Sequence, residues 1–211
     1  MIEPLAFPVP LPAIVTQPFG ARPKYYRQFK VNGVALPGHE GLDFRAPNGT
    51  PIMAVAGGIV VTVAEFGNYG YEFGLRHDRG ETVYESIYAH GARGAARVKV
   101  GNVVTAGDVL MLADSTGNVQ GAHLHFTLKC RGATARDDTP YPSDIIDPTG
   151  LFMQDADGAN SAGLSRRMIV ANPRLRVRKE PDAAAAIVGY VGYGAIVITL
   201  SEHDGWGLIA D

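Results

Sequence analysis

The residues of this chain best suited to chemistry are its six histidines, His39, His77, His90, His123, His125 and His203, because imidazole both ligates metals and exchanges protons near neutral pH. Two of them share the run HLHFTLK at 123–129. Alternation along a strand puts His123, His125 and Thr127 on one face and Leu124, Phe126 and Leu128 on the other, so two imidazoles stand side by side above an apolar row. His39 and Asp43 lie four positions apart in PGHEGLDFRAP, a spacing that aligns side chains on a helix or a strand. Pro37, Gly38, Gly41 and Pro47 argue against the helix. For the same reason H-E-G-L-D is not read as the helical H-E-x-x-H zinc motif with Glu40 as base.

Two histidines and one carboxylate form a three-ligand set suited to a catalytic zinc, whose fourth tetrahedral position stays open for water and lowers its pKa towards neutrality. A closed structural site would more often use thiolates, and Cys130 is the one cysteine. Spacing alone leaves open which of His123 and His125 binds metal. His77, beside a turn, is expected to hydrogen-bond there, and His203 to lie on the surface. Cys130 is expected to be a small buried apolar residue. Tyr69, Tyr71 and Tyr88 are read as packing across strands, with groove lining as the alternative.

The elements that must position these residues are strands. From Ile52 to Leu128 short β-branched and aromatic runs (IMAVA, GIVVTVAEF, YEFGLRH, TVYESIYAH, VVTAGDVLML, HLHFTLK) alternate with Gly, Asn or Asp, the pattern of an antiparallel all-β domain. Gly80 after Asp78-Arg79 predicts a hairpin turn. With 26 glycines and 14 prolines in 211 residues, short strands and many turns are favoured over long helices. A net charge of −2 supplies no basic field for a phosphate backbone, which excludes nucleic acid as the expected partner. Residues 1–15 carry Glu3, four prolines and no Lys or Arg, which does not match a signal peptide. No apolar run reaches the roughly 20 residues of a membrane span, so a soluble protein without a membrane partner is expected.

The H-x-x-x-D of His39 and Asp43, the Y-A-H of Tyr88 to His90 and the G-A-H-L-H of Gly121 to His125, taken in that order, resemble the M23 (lysostaphin-type) zinc metalloendopeptidases. The phrases GLDFRAPNGTPIMAVAGGIVV and VKVGNVVTAGDVL extend the resemblance over roughly residues 17–150. It implies an antiparallel two-sheet domain with an open groove, zinc held by His39, Asp43 and His125, and His90 and His123 as the catalytic pair that does not ligate. It further implies hydrolysis of peptide cross-links in bacterial peptidoglycan, at the cell wall, by a monomer. Which of His90 and His123 is the base stays open.

Composition shifts after Phe152, and three parts are expected: the peptidase domain at 1–152, a linker at 153–167 poor in large apolar residues, and a small β unit at 168–211. NPRLRVRKEPD, IVGYVGYGAIVIT and HDGWG resemble a bacterial SH3 (SH3b) domain, which implies a barrel that binds cell wall. This chain departs from that pattern by stopping soon after Trp206, where such domains usually add a strand. A phage lysin is one expected context; a noncatalytic wall-binding or regulatory protein that retains the fold is the alternative function.

Overall fold

A computed structural model describes residues 4–11, 13–80, 82–131 and 141–152, followed by the backbone of five short strands. The strands are β1 (Val15–Gln17), β2 (Lys30–Val31), β3 (Val34–Ala35), β4 (Leu42–Arg45), β5 (Pro51–Met53), β6 (Gly58–Phe66), β7 (Gly70–Arg79), β8 (Thr82–Gly91), β9 (Val103–Val104), β10 (Val109–Leu112), β11 (His123–Cys130) and β12 (Ile145–Ile146). One four-residue helix, α1 (Pro23–Tyr26), starts at a proline, whose fixed φ suits a first helical turn.

One eight-stranded sheet, ordered β1-β4-β11-β8-β7-β6-β9 with β12 on β11, forms the main layer, and β5–β10 and β2–β3 make two small ribbons. All of these pairings are antiparallel. The expected all-β architecture is therefore present, although the second sheet is only a ribbon. The β7–β8 hairpin turns where expected, with Gly80 at φ 65°. VVTAGDVLML, expected as one run, is instead two strands in different sheets: β9 pairs with β6 and β10 with β5. The break is a turn in which Asp108 Oδ2 accepts from the backbone N–H and the hydroxyl of Thr105, a local bond that competes with the ladder.

The core lies under β4, β11 and β8. Leu42, Phe44, Leu124, Phe126, Leu128 and Tyr88 are buried there, and Phe152 packs edge-on against both Phe44 and Phe126. Burying such aromatic rings supplies much of the stability of the central strands. On the opposite face of the same strands stand Asp43, His125 and Thr127, so the period-2 alternation read from the sequence positions the polar row. Cys130 is buried against this core as expected.

Tyr88 is fully buried, and its hydroxyl receives the Val55 N–H at 2.9 Å and hydrogen-bonds the Ser86 hydroxyl at 3.1 Å. Tyr88→Phe leaves the Val55 donor unpaired in the core and is expected to destabilise the protein by about 1–3 kcal/mol. At this chain length that lowers the melting temperature by about 2–4 °C per kcal/mol; an unchanged thermal melt would show that the hydroxyl stabilises nothing.

Beyond residue 164 the described backbone forms β13 (Ser165–Met168), β14 (Arg174–Arg178), β15 (Ile187–Gly192), β16 (Ile196–His203) and β17 (Trp206–Ile209). They pair as β13-β16-β17 and β14-β15. Most of the expected linker, residues 153–164, lies outside the described residues, as does the side chain of His203.

Candidate metal and catalytic site

Strands β4 and β11 pair so that Asp43 lies opposite His125 and Arg45 opposite His123. β8 pairs on the other side of β11, with Ala89 opposite His125, which brings His90 to the same cluster. His39 enters from the loop before β4. Four imidazoles and one carboxylate thus meet: the His39 and His125 rings lie 4.9 Å apart, His90 and His123 4.7 Å, and His90 and His125 6.0 Å.

Within the cluster three atoms converge. His39 Nε2 lies 3.0 Å from His125 Nδ1, Asp43 Oδ1 lies 3.2 Å from His39 Nε2 and 3.0 Å from His125 Nδ1. His123 Nε2 stands further off, 3.7 Å from Asp43 Oδ1. Four ligands placed tetrahedrally at about 2.0–2.1 Å from a zinc ion are separated by about 3.3 Å from one another. The three-atom set is therefore close to the spacing that a metal needs, and its residue types suit zinc.

Backbone carbonyls fix the ring tautomers. Pro18 O faces His39 Nδ1 at 3.1 Å, Thr116 O faces His90 Nδ1 at 2.9 Å and Gly121 O faces His123 Nδ1 at 2.9 Å. A carbonyl only accepts, so each Nδ1 carries the proton and each Nε2 presents a lone pair. His125 is turned the other way: its Nε2 meets the Thr127 hydroxyl at 2.9 Å, and its Nδ1 faces the cluster. Such outer partners orient ligating histidines.

Burial alone would raise the Asp43 carboxyl, but its close contacts with the His125 and His39 rings outweigh it and hold the group well below the usual carboxylate range. His125, fully buried, would be pushed down, yet Asp43, then Glu40 and Glu72, raise it. Burial, reinforced by His125 and His123, lowers His90 to about 4. His90 also sits at φ 65°, a left-handed conformation that is costly for a non-glycine residue and is concentrated at functional sites.

A second carboxylate reaches the cluster. His39, Glu40 and His125 form a buried group whose ligand atoms all lie within 4.8 Å of one another, but Glu40 Oε1 approaches His125 on the Nε2 side, at 3.9 Å, away from the three converging atoms. Glu40 Oε1 accepts from the Tyr69 hydroxyl at 2.7 Å, and Oε2 is buried without a hydrogen-bond partner. Sequence reasoning misses this Glu40–Tyr69 pair, and also Gln17, whose amide donates to Asp43 Oδ2 at 3.2 Å and to the Tyr26 hydroxyl at 2.6 Å. Their contacts span 29, 26 and 9 positions, and no local pattern encodes them.

The cluster opens into a cleft of about 510 Å³. α1 and the segment after it contribute Tyr25, Tyr26 and Phe29 to its lining, and Asn68, Tyr69, Asn118 and Gln120 line it as well. Tyr69 therefore lines the groove, whereas Tyr88 packs in the core and half-buried Tyr71 packs against Phe73. His77 stays away from it, bonded to Gly57 O and to the Ser86 hydroxyl, as a structural histidine.

Residues 37–137 match Peptidase family M23. Over 138 residues the chain is 33% identical to the DD-carboxypeptidase/endopeptidase Mpg of Neisseria meningitidis serogroup B, covering 65% of this chain and 29% of that protein. It is 34% identical over 112 residues to the peptidoglycan DD-endopeptidase ShyB of Vibrio cholerae, covering 53% of this chain and 24% of that protein. The chain thus spans less than a third of these relatives' length. Among solved structures, a zinc-containing peptidase from Vibrio cholerae is similar with a TM-score of 0.50 and 30% identity, over 62% of this chain and 37% of that one. Residues 37–137, the span that matches Peptidase family M23, contain all five side chains of the cluster.

Proposed function

We propose that this protein is a zinc-dependent peptidase that hydrolyses peptide bonds of bacterial peptidoglycan. The observation that carries the reading is the convergence of His39 Nε2, His125 Nδ1 and Asp43 Oδ1 within 3.0–3.2 Å, beside two further imidazoles with free Nε2 lone pairs. His39, Asp43 and His125 would hold the ion; Glu40, on the far nitrogen of His125, would act on that ring from behind. When bound, zinc polarises a peptide carbonyl and makes an attacking water easier to deprotonate.

The protein's own groups supply the rest. His90 and His123, held by the Thr116 and Gly121 carbonyls, present Nε2 to the cleft. One takes a proton from water as it attacks the scissile carbon and returns it to the leaving nitrogen; the other, protonated at Nε2 from bulk water, donates a hydrogen bond to the developing oxyanion. Tyr25, Tyr26 and Phe29 offer an apolar wall to a bound peptide. The similarity to enzymes named for peptidoglycan and DD-peptide cleavage supports the wall as substrate. In this reading the unit at 168–211 is an SH3-like wall-binding module, joined through a linker at 153–167, that raises local substrate concentration. The site of action is the bacterial cell wall, whether the source is bacterial or phage.

The test is release of peptide fragments from purified peptidoglycans of two cross-link types, read by mass spectrometry. New termini that disappear with a chelator support the reading; intact walls in the presence of bound zinc reject it in favour of a noncatalytic wall-binding protein. His90→Ala and His123→Ala are each expected to lower turnover by about 10²–10⁴-fold while zinc content stays at that of the wild type. Loss of zinc from either variant would move that residue to the ligand set.

A further inference from the structure

Among the described residues, Asp43 and Glu40 are the two acidic side chains that line the cleft, and both are engaged: Asp43 by His39, His125 and Gln17, Glu40 by Tyr69. Three cations line the same cleft, Arg22, Lys30 and Arg45. Arg22 lies over the Tyr25 ring, 4.7 Å from its centroid. Among the described residues none of the three pairs with a carboxylate.

Arg45 is the one built into the floor. It ends β4, where the alternation buries Leu42 and Phe44 and turns Asp43 and Arg45 to the cleft, and it stands directly opposite His123. Opposed residues of an antiparallel pair have Cα atoms about 4.5–5.5 Å apart, so the Arg45 and His123 side chains leave the same face of the sheet side by side, two residues along the strand from Asp43. A planar guanidinium with no carboxylate partner among the described residues suits bidentate capture of a carboxylate.

We propose that Arg45 is a specificity residue that binds a substrate carboxylate carried on the carbon bonded to the scissile nitrogen; this rests on the hydrolase reading above. In wall peptides two sources place a free carboxylate there: a C-terminal amino acid about to be released, or a cross-linking diamino acid whose second carboxyl flanks the amide nitrogen. A bridge of glycines has an amide at that position and gives the guanidinium no charge to bind. Lys30 and Arg22 extend the positive potential along the wall and favour entry of anionic peptide.

The test compares kcat/KM of the zinc-loaded full chain on four synthetic peptides. Two are a cross-linked dimer with the flanking diamino-acid carboxyl free or amidated, and two are a linear stem peptide with its C-terminus free or amidated. The wild type is expected to favour a free carboxylate over its amide by about 10–100-fold, the range for one charge-assisted contact, expressed in KM. The dimer pair reads the cross-link source and the linear pair the C-terminal source. In Arg45→Gln the preference collapses towards one, and Arg45→Lys restores part of it. Equal cleavage of free and amidated peptides by the wild type, or an undiminished preference in Arg45→Gln, overturns the assignment. Should no peptide be cut, the hydrolase reading fails, and calorimetric binding of the same four peptides to the zinc-loaded chain still decides: tighter binding of the free acids, lost in Arg45→Gln, supports a carboxylate site, and equal binding removes it.

Discussion

Asp43→Ala is expected to abolish both metal retention and hydrolysis. The carboxylate is the only anion among the three converging atoms, and it touches both His39 Nε2 and His125 Nδ1. Without it two neutral imidazoles face each other at 3.0 Å with no charge to offset that of a divalent ion. Changes to outer partners alone weaken metal affinity by about 10–100-fold, so loss of a direct ligand is expected to exceed about 100-fold. Because a bound metal contributes several kcal/mol to the transition state, activity should fall by at least about 10³-fold. Metal content by mass spectrometry and the thermal shift on adding zinc check this together: the wild type gains stability by mass action, whereas the variant gains none. A variant that keeps stoichiometric zinc would instead point to Glu40 as the anionic ligand. Asp43→Asn, which keeps the shape and removes the charge, separates coordination from packing.

Gly41→Ala should damage the site without touching any candidate ligand. A Cβ at Gly41 would lie 2.4 Å from the Phe126 carbonyl oxygen and 2.9 Å from His125 Cε1. The nearer neighbour is backbone of β11, which cannot move aside as a flexible side chain would, so the strain must part β4 from β11. Those strands hold Asp43 opposite His125, and the separation that relieves the clash pulls the ligand atoms apart. Overpacking of this kind costs about 1–3 kcal/mol, sometimes more, with a melting-temperature drop of about 2–4 °C per kcal/mol at this size. Zinc affinity is expected to fall more steeply than stability, since a displacement well under 1 Å already spoils tetrahedral geometry. Zinc binding at wild-type affinity in a folded Gly41→Ala protein would show that the strands relax without disturbing the donors. The glycine inside H-x-G-x-D is thus a packing requirement of the site.

Local order governed what could be read directly. The alternation of HLHFTLK sorted His123, His125 and Thr127 from the core side chains because the pleat has a period of two whatever surrounds it. The β7–β8 hairpin followed from Asp78-Arg79-Gly80 because the positive φ at Gly80 is a local demand. The helix-breaking residues around His39 and Asp43 likewise decided against the H-E-x-x-H reading, and the H-x-G-x-D segment leads into a strand. The division of VVTAGDVLML was misread because the Thr105–Asp108 turn interrupts an otherwise continuous apolar pattern.

By itself, then, the sequence determined the residue types, the strand faces and, through the resemblance its motifs carry, the five side chains worth testing. Only the tertiary structure decided which nitrogen each histidine presents, since Pro18, Thr116 and Gly121 supply the carbonyls and two of these lie 21 and 26 positions from their rings. It alone brought Glu40 to Tyr69, Gln17 to Asp43 and Arg45 beside His123. The physical reason is that periodicity is a property of consecutive residues, whereas tautomer, charge pairing and donor spacing depend on which distant segments the sheet order places side by side.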